Sequence, residues 1–212
     1  MTDFDTDNGT TRDDLLQRVA LMEAMIAEGR CTTTRCGWIF VLWGLVDLAP
    51  IAWQLAEPDS RWVSRWCWPI CLAVGLALTV LGRSIQERRK HCTPGMQSRS
   101  VWAVWSIMGA AITLYFVAAM IKHLGWQYSF EAGILMMIAM AHGISAVILR
   151  WRVQGAVAVI WGLGSFATFF SRSWRDETAI FVFELVVGMI LFGLYAMWLD
   201  RRDQAGRASN HA

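Results

Sequence analysis

Six long apolar stretches alternate with short polar segments along this chain. Each stretch is long enough, at about 1.5 Å of helical rise per residue, to cross roughly 30 Å of hydrocarbon. Because backbone amides in lipid must be hydrogen-bonded within their own segment, each stretch is predicted to be an α-helix. The predicted spans are residues 36–55, 66–83, 101–121, 128–149, 153–170 and 179–199. The pattern therefore predicts an all-α polytopic membrane protein, with a six-helix transmembrane domain over residues 36–199.

Residues 1–35 form a polar segment before the first span, and residues 12–29 within it are predicted to be an amphipathic helix. Its apolar side carries Leu15, Val19, Met22 and Ile26 at helical spacing, and acidic side chains dominate the other side. Helices that bind anionic membrane surfaces usually carry Lys and Arg there. The acidic side therefore favours packing on protein, namely the basic loop of residues 83–100, a second copy of the chain, or a cytoplasmic partner protein.

Lys and Arg are distributed unequally between alternate loops, which predicts the orientation in the membrane. Fourteen of the 19 Lys and Arg residues precede the first span or follow the second, fourth and sixth spans. Cytoplasmic loops carry the excess of positive charge. Both termini, including the short polar tail of residues 200–212, are therefore expected in the cytoplasm, and the protein is expected in a bacterial inner membrane.

The composition agrees with a membrane protein and excludes several other classes. Apolar residues make up 56% of the 212 residues and charged residues only 17%, against about 25% charged in soluble domains. These values exclude a disordered chain, a disulfide scaffold and a nucleic-acid-binding protein. The chain is also tryptophan-rich, with 13 Trp against 3 Tyr. Most of the Trp residues fall near predicted span ends, where indole rings anchor helices at the membrane interface.

The odd-numbered spans share a short signature, which indicates one helical hairpin used three times. The signature is Trp43-Gly44, Trp105-Ser106 and Trp161-Gly162. The even-numbered spans also end alike, each with a Gly seven or eight positions before an Arg, namely Gly75 and Arg83, Gly143 and Arg150, and Gly193 and Arg201. Two explanations are open. The chain either contains three repeated hairpins, or it uses small residues for close helix approach and Arg at every cytoplasmic exit.

Four ionisable residues lie inside the predicted spans, namely Asp47, Glu131, His142 and Glu184. An ionisable group in hydrocarbon is costly unless it is paired or hydrated, so each is a candidate functional residue. The helical rise places His142 about 10 Å, Asp47 about 17 Å, Glu184 about 21 Å and Glu131 about 27 Å from the inner boundary. These residues are predicted to form a transport or ion-binding ladder, with hydroxyls added by Thr113 on the third span and Ser165 on the fifth.

Asp47 is the central candidate because Pro50 follows it in the same span. Proline removes the hydrogen bond to the carbonyl of Val46 and leaves an acceptor beside the carboxylate. Such a carboxylate would bind and release a proton or cation as water access changes sides. Structural explanations are also open: Glu131 in the outer headgroup zone, His142 as a hydrogen-bonded neutral imidazole, and Asp47 and Glu184 as protonated contacts between helices.

Motifs for enzyme chemistry are missing from the sequence. It contains no glycine-rich phosphate loop, no Gly-x-Ser-x-Gly elbow and no His-Glu-x-x-His motif. We therefore expect no catalytic residues, no metal site and no cofactor, and an enzyme is less expected than a transport protein.

The sequence thus predicts a small integral membrane protein that moves a proton, a cation or a small polar solute through intramembrane carboxylates. One alternative is a membrane signalling or scaffold protein that binds a cytoplasmic partner through its N-terminal helix. Another is a membrane enzyme that acts on a lipid or a quinone. Ala139-x-x-x-Gly143 and Ala73-x-x-x-Ala77 also predict self-association, since small residues let helices approach closely.

Overall fold

The structure, a computed structural model, describes residues 6–88, 96–121, 128–171 and 173–209. These residues form eight α-helices and one π-helical segment: α1 (Thr6–Arg35), α2 (Gly37–Ala56), α3 (Arg61–Arg88), α4 (Met96–Ile121), α5 (Tyr128–Leu149), α6 (Arg152–Phe170), α7 (Trp174–Glu184), the π-helical segment Leu185–Leu191 and α8 (Phe192–Ser209). The last three elements follow one another without a break in helical backbone and are called the last span below.

Six helices are long and apolar enough to cross a membrane, which confirms the six predicted spans. They are Gly37–Ala56, Arg61–Gln86, Arg99–Ile121, Phe130–Leu149, Arg152–Phe170 and Trp174–Gly206. The second and last spans begin five residues earlier than hydropathy predicted. The reason is that polar N-caps, and not the first apolar residues, start these helices. The Ser60 hydroxyl accepts from the Val63 amide at 3.3 Å, and the Ser173 hydroxyl accepts from the Asp176 amide at 3.2 Å.

Helix α1 extends beyond both ends of the predicted helix of residues 12–29, and only its C-terminal part packs on the bundle. Gly29 and Thr33 are buried there, whereas residues 14–24 are exposed. The Arg30 guanidinium donates to the carbonyl oxygens of Leu149, at 2.7 Å, and Arg150, at 2.5 Å. This charge-assisted contact attaches α1 to the C-terminus of α5, and we call this end of the bundle the α1 end and the opposite one the distal end.

Helices α5 and α6 form an antiparallel hairpin at the centre of the bundle. The turn between them uses Arg150 with φ 49°, and the Trp151 amide donates back to the carbonyl of Ala146 at 3.0 Å, a Schellman C-cap. Small residues bring the two helices together, since a Cβ on Gly143 would lie 3.8 Å from the Cβ of Ala158. The predicted small pair at residues 139 and 143 therefore serves packing within one chain.

Helices α1 and α4 and the last span pack on this hairpin, and α2 packs between the last span and α3. The most buried spans are α5 and the last span, and the least buried are α3 and α4. The hydrophobic core joins the hairpin to α2, α3 and the last span. Its buried residues are Phe40, Ile51, Val63, Cys67, Trp68, Leu135, Ile138, Ala139, Val157, Trp161, Phe181, Leu185, Met189 and Phe192. Ala73 and Ala77 of α3 are exposed, so the second predicted small pair stays available to another chain.

Candidate functional site

Buried polar side chains in the described spans are confined to three elements, α5, α6 and α7. They are Glu131, His142 and Ser145 on α5, Gln154, Ser165 and Thr168 on α6, and Glu177 and Glu184 on α7. Within each helix these residues are separated by 3, 7, 11 or 14 positions, which are spacings that return to the same face. Each of the three helices therefore turns one polar face toward the interior.

Direct contacts bring the three polar faces together. The Ser165 hydroxyl of α6 donates to the carbonyl of Ala132 on α5 at 2.8 Å. Glu177 of α7 lies close enough to Glu131 of α5 to interact with it electrostatically. The Glu184 carboxyl fills the position that a Cβ on residue 164 of α6 would occupy. This convergence makes the three faces one buried site.

Trp161 of α6 completes the site. Its side chain is fully buried, and its indole Nε1 fills the position that a Cβ on Gly188 would take. Gly188 belongs to the π-helical segment. The backbone of the last span therefore packs directly against the Trp161 ring of α6 at this point. We call the eight buried polar residues and Trp161 the polar column.

The polar column extends through most of the apolar thickness. A Cβ on Gly155 of α6 would lie 3.7 Å from the Cβ of Ala146 on α5. Since the two helices are antiparallel, Gln154 lies about level with residue 147. Glu131 is 16 positions before that level, a distance of about 24 Å along the helix axis. The hydrocarbon core of a bilayer measures about 30 Å.

His142 occupies an aromatic cage near the α1 end of the column. Its ring is stacked on Phe40 at 5.6 Å and meets the edges of Trp105 at 4.9 Å and Phe192 at 5.4 Å, measured between ring centroids. The imidazole is fully buried, and neither of its nitrogens has a hydrogen-bond partner among the described residues. The hydrogen-bonded imidazole considered from the sequence is therefore not the arrangement found.

Several other polar atoms of the column are also buried without a hydrogen-bond partner in the described part of the chain. They are Glu131 Oε2, Ser145 Oγ, Gln154 Nε2 and Oε1, Trp161 Nε1 and Glu184 Oε2. Most buried polar atoms in proteins are paired, and an unpaired one costs about 1–3 kcal/mol. So many unpaired polar atoms are not needed to hold three helices together, because apolar side chains would pack there at a lower cost in free energy.

The carboxyl groups of the column have no cationic partner among the described residues. The ion pairs found there are Arg18–Asp14 at 2.9 Å and Arg35–Asp200 at 3.5 Å, and neither involves the column. Glu177 is held by the hydroxyl of Ser171, which donates to its Oε1 at 2.8 Å. The column therefore offers proton-binding groups that no Lys or Arg in the described part of the chain neutralises.

A small cavity lies at the distal end of the column. It is lined by Ile51, Gln54, Trp68, Glu131, Trp174, Thr178 and Phe181 and has a volume of about 10 Å³. That volume is close to the minimum that holds one water molecule. We call it the distal cavity.

Asp47, the central candidate from the sequence, is only partly buried and lies on α2 rather than in the column. It is near Cys71 of α3, with which it interacts electrostatically. Phe40, in the His142 cage, and Gln54, in the distal cavity, are each seven positions away on the same face of α2. Asp47 is thus placed midway between the two ends of the site.

The remaining candidates have different environments. Glu131, His142, Glu184 and Ser165 all belong to the polar column. Glu131 is 5% exposed, so it faces the protein interior rather than a headgroup layer. Thr113 is exposed on α4 and donates to the carbonyl of Gly109 in its own helix at 2.8 Å.

Four buried polar residues of the column were not among the candidates from the sequence, namely Ser145, Gln154, Thr168 and Glu177. Glu177 lies before residue 179, where the last span was predicted to begin, although it shares the stripe of Glu184 seven positions later. Gln154 directly follows the predicted start of the fifth span. Ser145 was seen only as a neighbour of His142. Extending the stripe of Glu184 by two turns beyond its apolar stretch would have found Glu177. Following the stripe of Ser165 within its own span would have found Gln154 and Thr168.

Comparison with known proteins gives no match for this chain. No protein family model, no curated protein and no solved structure matches it. Among the described residues, no group of three or more His, Cys, Asp or Glu side chains is placed to hold a metal ion.

Proposed function

We propose that this protein moves protons across the membrane along the polar column. The observation that carries the proposal is the confinement of the buried polar side chains in the described spans to one converging face on each of α5, α6 and α7. Four of them, namely Glu131, Glu177, Glu184 and His142, bind and release protons. Ionisable residues buried in a membrane domain mark ion pathways and proton relays.

The small size of the distal cavity favours a proton over a larger solute. A cavity of about 10 Å³ admits one water-sized species. A proton needs no wide pore, because it passes between ionisable side chains and single water molecules. Glu131, at the cavity, and His142, in the aromatic cage, are the two ends of the titratable path, and Glu184 lies between them along the helix axes.

In this proposal, protons also reach the polar column through Asp47. It lies on the α2 face that links the distal cavity to the His142 cage, and Pro50 after it is fully buried. A carboxylate there would exchange protons with the path from the α2 side. Because Asp47 is not one of the buried polar residues, we expect Asp47→Asn to reduce flux less than a change within the column.

Proton flux into liposomes tests the proposal directly. Purified protein is reconstituted with a trapped pH-sensitive dye, and a K⁺ gradient with valinomycin imposes a membrane potential. We expect wild-type vesicles to acidify faster than protein-free vesicles, and Asp47→Asn vesicles to retain part of the difference. Equal rates in wild-type and protein-free vesicles would reject proton transport. Complete loss in Asp47→Asn would make Asp47, not the column, the main path.

Topology, membrane and assembly belong to the same proposal. The excess of Lys and Arg at the α1 end and in the loops of that side supports cytoplasmic termini in a bacterial inner membrane. Arg89 and Lys90 of the predicted basic loop lie outside the described residues. Self-association would use the exposed Ala73 and Ala77 of α3. The threefold hairpin repeat stays a prediction.

A second function is favoured by the exposed part of α1. Its apolar stripe is uncovered, with Leu15 57%, Val19 47% and Met22 55% exposed. A helix face of this kind, lying in the cytoplasm, is typical of a surface that binds a protein partner. In this alternative the protein is a membrane scaffold or signalling protein.

Paired substitutions separate this alternative from proton transport. Val19→Ser with Met22→Ser should remove a protein that co-purifies from native membranes while proton flux stays unchanged. Leu21→Ser is the matched control, because Leu21 is 63% exposed on another side of the same helix. Co-purification unaffected by the double change would reject the stripe as a binding surface.

A further inference from the structure

The distal cavity collects oxygen atoms from three elements of the bundle. Glu131 comes from α5, Gln54 from α2 and Thr178 from α7, and all three line the cavity. Glu131 is only 5% exposed, and its Oε2 has no hydrogen-bond partner in the described structure. Glu131 therefore brings a buried carboxylate to a cavity that is also lined by an amide and a hydroxyl, and this set of oxygen ligands has no assigned cation.

The charge around the cavity selects a cation. The described residues that line it include no Lys or Arg, and the electrostatic interaction with Glu177 adds a second carboxyl group nearby. The rings of Trp68 and Trp174, which also line the cavity, present electron-rich faces that attract cations. A negative charge buried without a partner is strongly unfavourable, so a bound cation would remove this cost by pairing with the carboxylate.

The position of Gln54 is fixed by a neighbouring helix. Its side chain is within hydrogen-bonding range of the Cys67 thiol on α3, and Cys67 is fully buried. This contact holds the Gln54 side chain in place beside the cavity. The site is therefore held in place by side chains rather than formed by chance at a loose surface.

Size and ligand type narrow the choice of cation. A volume of about 10 Å³ fits one water-sized ion. Oxygen ligands suit hard cations, while Mg²⁺ keeps several of its waters and Ca²⁺ takes about 6–8 oxygens, more than this cavity supplies. A dehydrated monovalent cation such as Na⁺ or K⁺, no larger than about a water molecule, satisfies both conditions.

From these contacts we infer that the distal cavity binds one monovalent cation no larger than about a water molecule, held by the Glu131 carboxylate with the oxygens of Gln54 and Thr178. The inference rests on the proposed function, because Glu131 is also the distal end of the proton path. It adds a cation that competes with the proton at the entrance of that path.

Binding of radiolabelled Na⁺ to the purified full-length protein in detergent tests the inference. We expect saturable binding of one Na⁺ per chain, displaced by unlabelled Na⁺ and K⁺ and not by the much larger choline cation. Glu131→Gln should abolish this binding, and Gln54→Leu or Thr178→Val should weaken it about tenfold or more, the equivalent of one lost hydrogen bond to a charge. Asp176→Asn, an exposed carboxylate of α7, should bind as wild type.

The outcomes separate the site from the proton path. Absence of saturable Na⁺ binding, or binding that survives both Glu131→Gln and Gln54→Leu, overturns the cation site. If Glu131→Gln does not fold, the two neutral substitutions decide alone. Proton flux measured in Na⁺-free choline medium reports on the column independently. Flux without Na⁺ binding therefore rejects only the inference, and Na⁺ binding without flux rejects only the proposed function.

Discussion

Glu184→Gln should lower the proton flux of reconstituted vesicles by about tenfold or more, in keeping with the loss of a group that transfers protons. Glu184 is 2% exposed and packs against Gly164, with Oε2 buried and unpaired in the described structure. Glutamine keeps the volume and hydrogen-bonding capacity of the side chain but cannot release a proton. The measurement is the initial rate of dye quenching under an imposed potential, normalised to reconstituted protein.

The isosteric change also distinguishes a relay from a structural contact. If Glu184 only joins α7 to α6 as a protonated acid, glutamine replaces it with little loss, and both flux and unfolding temperature stay at the wild-type values. That result would contradict the proposal. Asp176→Asn is the matched control, since it removes an exposed carboxylate from the same helix and should leave the flux unchanged.

Hydropathy alone was sufficient for the transmembrane architecture. Each of the six predicted spans has a counterpart among the helices that are long and apolar enough to cross a membrane, because a run of apolar residues in lipid has one way to satisfy its backbone. The same logic found Glu131, His142 and Glu184, since an ionisable residue within an apolar run is visible in the sequence. Residue type and position along one helix were enough for these predictions.

The contacts between neighbouring helices could not be predicted from the residue pattern along each single helix. Asp47 and Glu184 look equivalent in the sequence, yet Glu184 is buried among three polar faces and Asp47 is partly exposed on α2. Thr113 looks like Ser165, yet it faces away from the bundle. Which face of a helix is covered depends on packing against helices far apart in the sequence, and periodicity gives only the face, not its neighbour.

The π-helical segment Leu185–Leu191 lies between two contacts that the last span makes, one with α6 and one with the His142 ring. Before it, Glu184 packs against Gly164, and after it, Phe192 meets the His142 ring. A π-helical segment shifts the faces on its two sides relative to a regular α-helix, and such segments are frequent at functional sites. Here it allows one helix to reach both the middle of the column and the aromatic cage.

Gly188→Ala should destabilise the protein by about 1–3 kcal/mol, the usual cost of overpacking a core, and should also reduce proton flux. A Cβ at residue 188 would lie on the indole nitrogen of Trp161 and 2.6 Å from its Cε2. The indole is rigid and fully buried, so it cannot move aside without displacing α6 or the last span. Thermal unfolding in detergent and the vesicle flux assay measure the two effects.

Gly162→Ala is the matched control for this steric argument. It lies on α6 one position after Trp161, and a Cβ there meets nothing within 4 Å. Since alanine favours helices over glycine by about 1 kcal/mol, this control should leave stability equal or higher, opposite in sign to Gly188→Ala. Adding Trp161→Phe should restore part of the stability lost in Gly188→Ala, because the smaller ring frees the space that the methyl group needs. If Gly188→Ala matches Gly162→Ala, close packing of the last span on Trp161 is not what holds the column together.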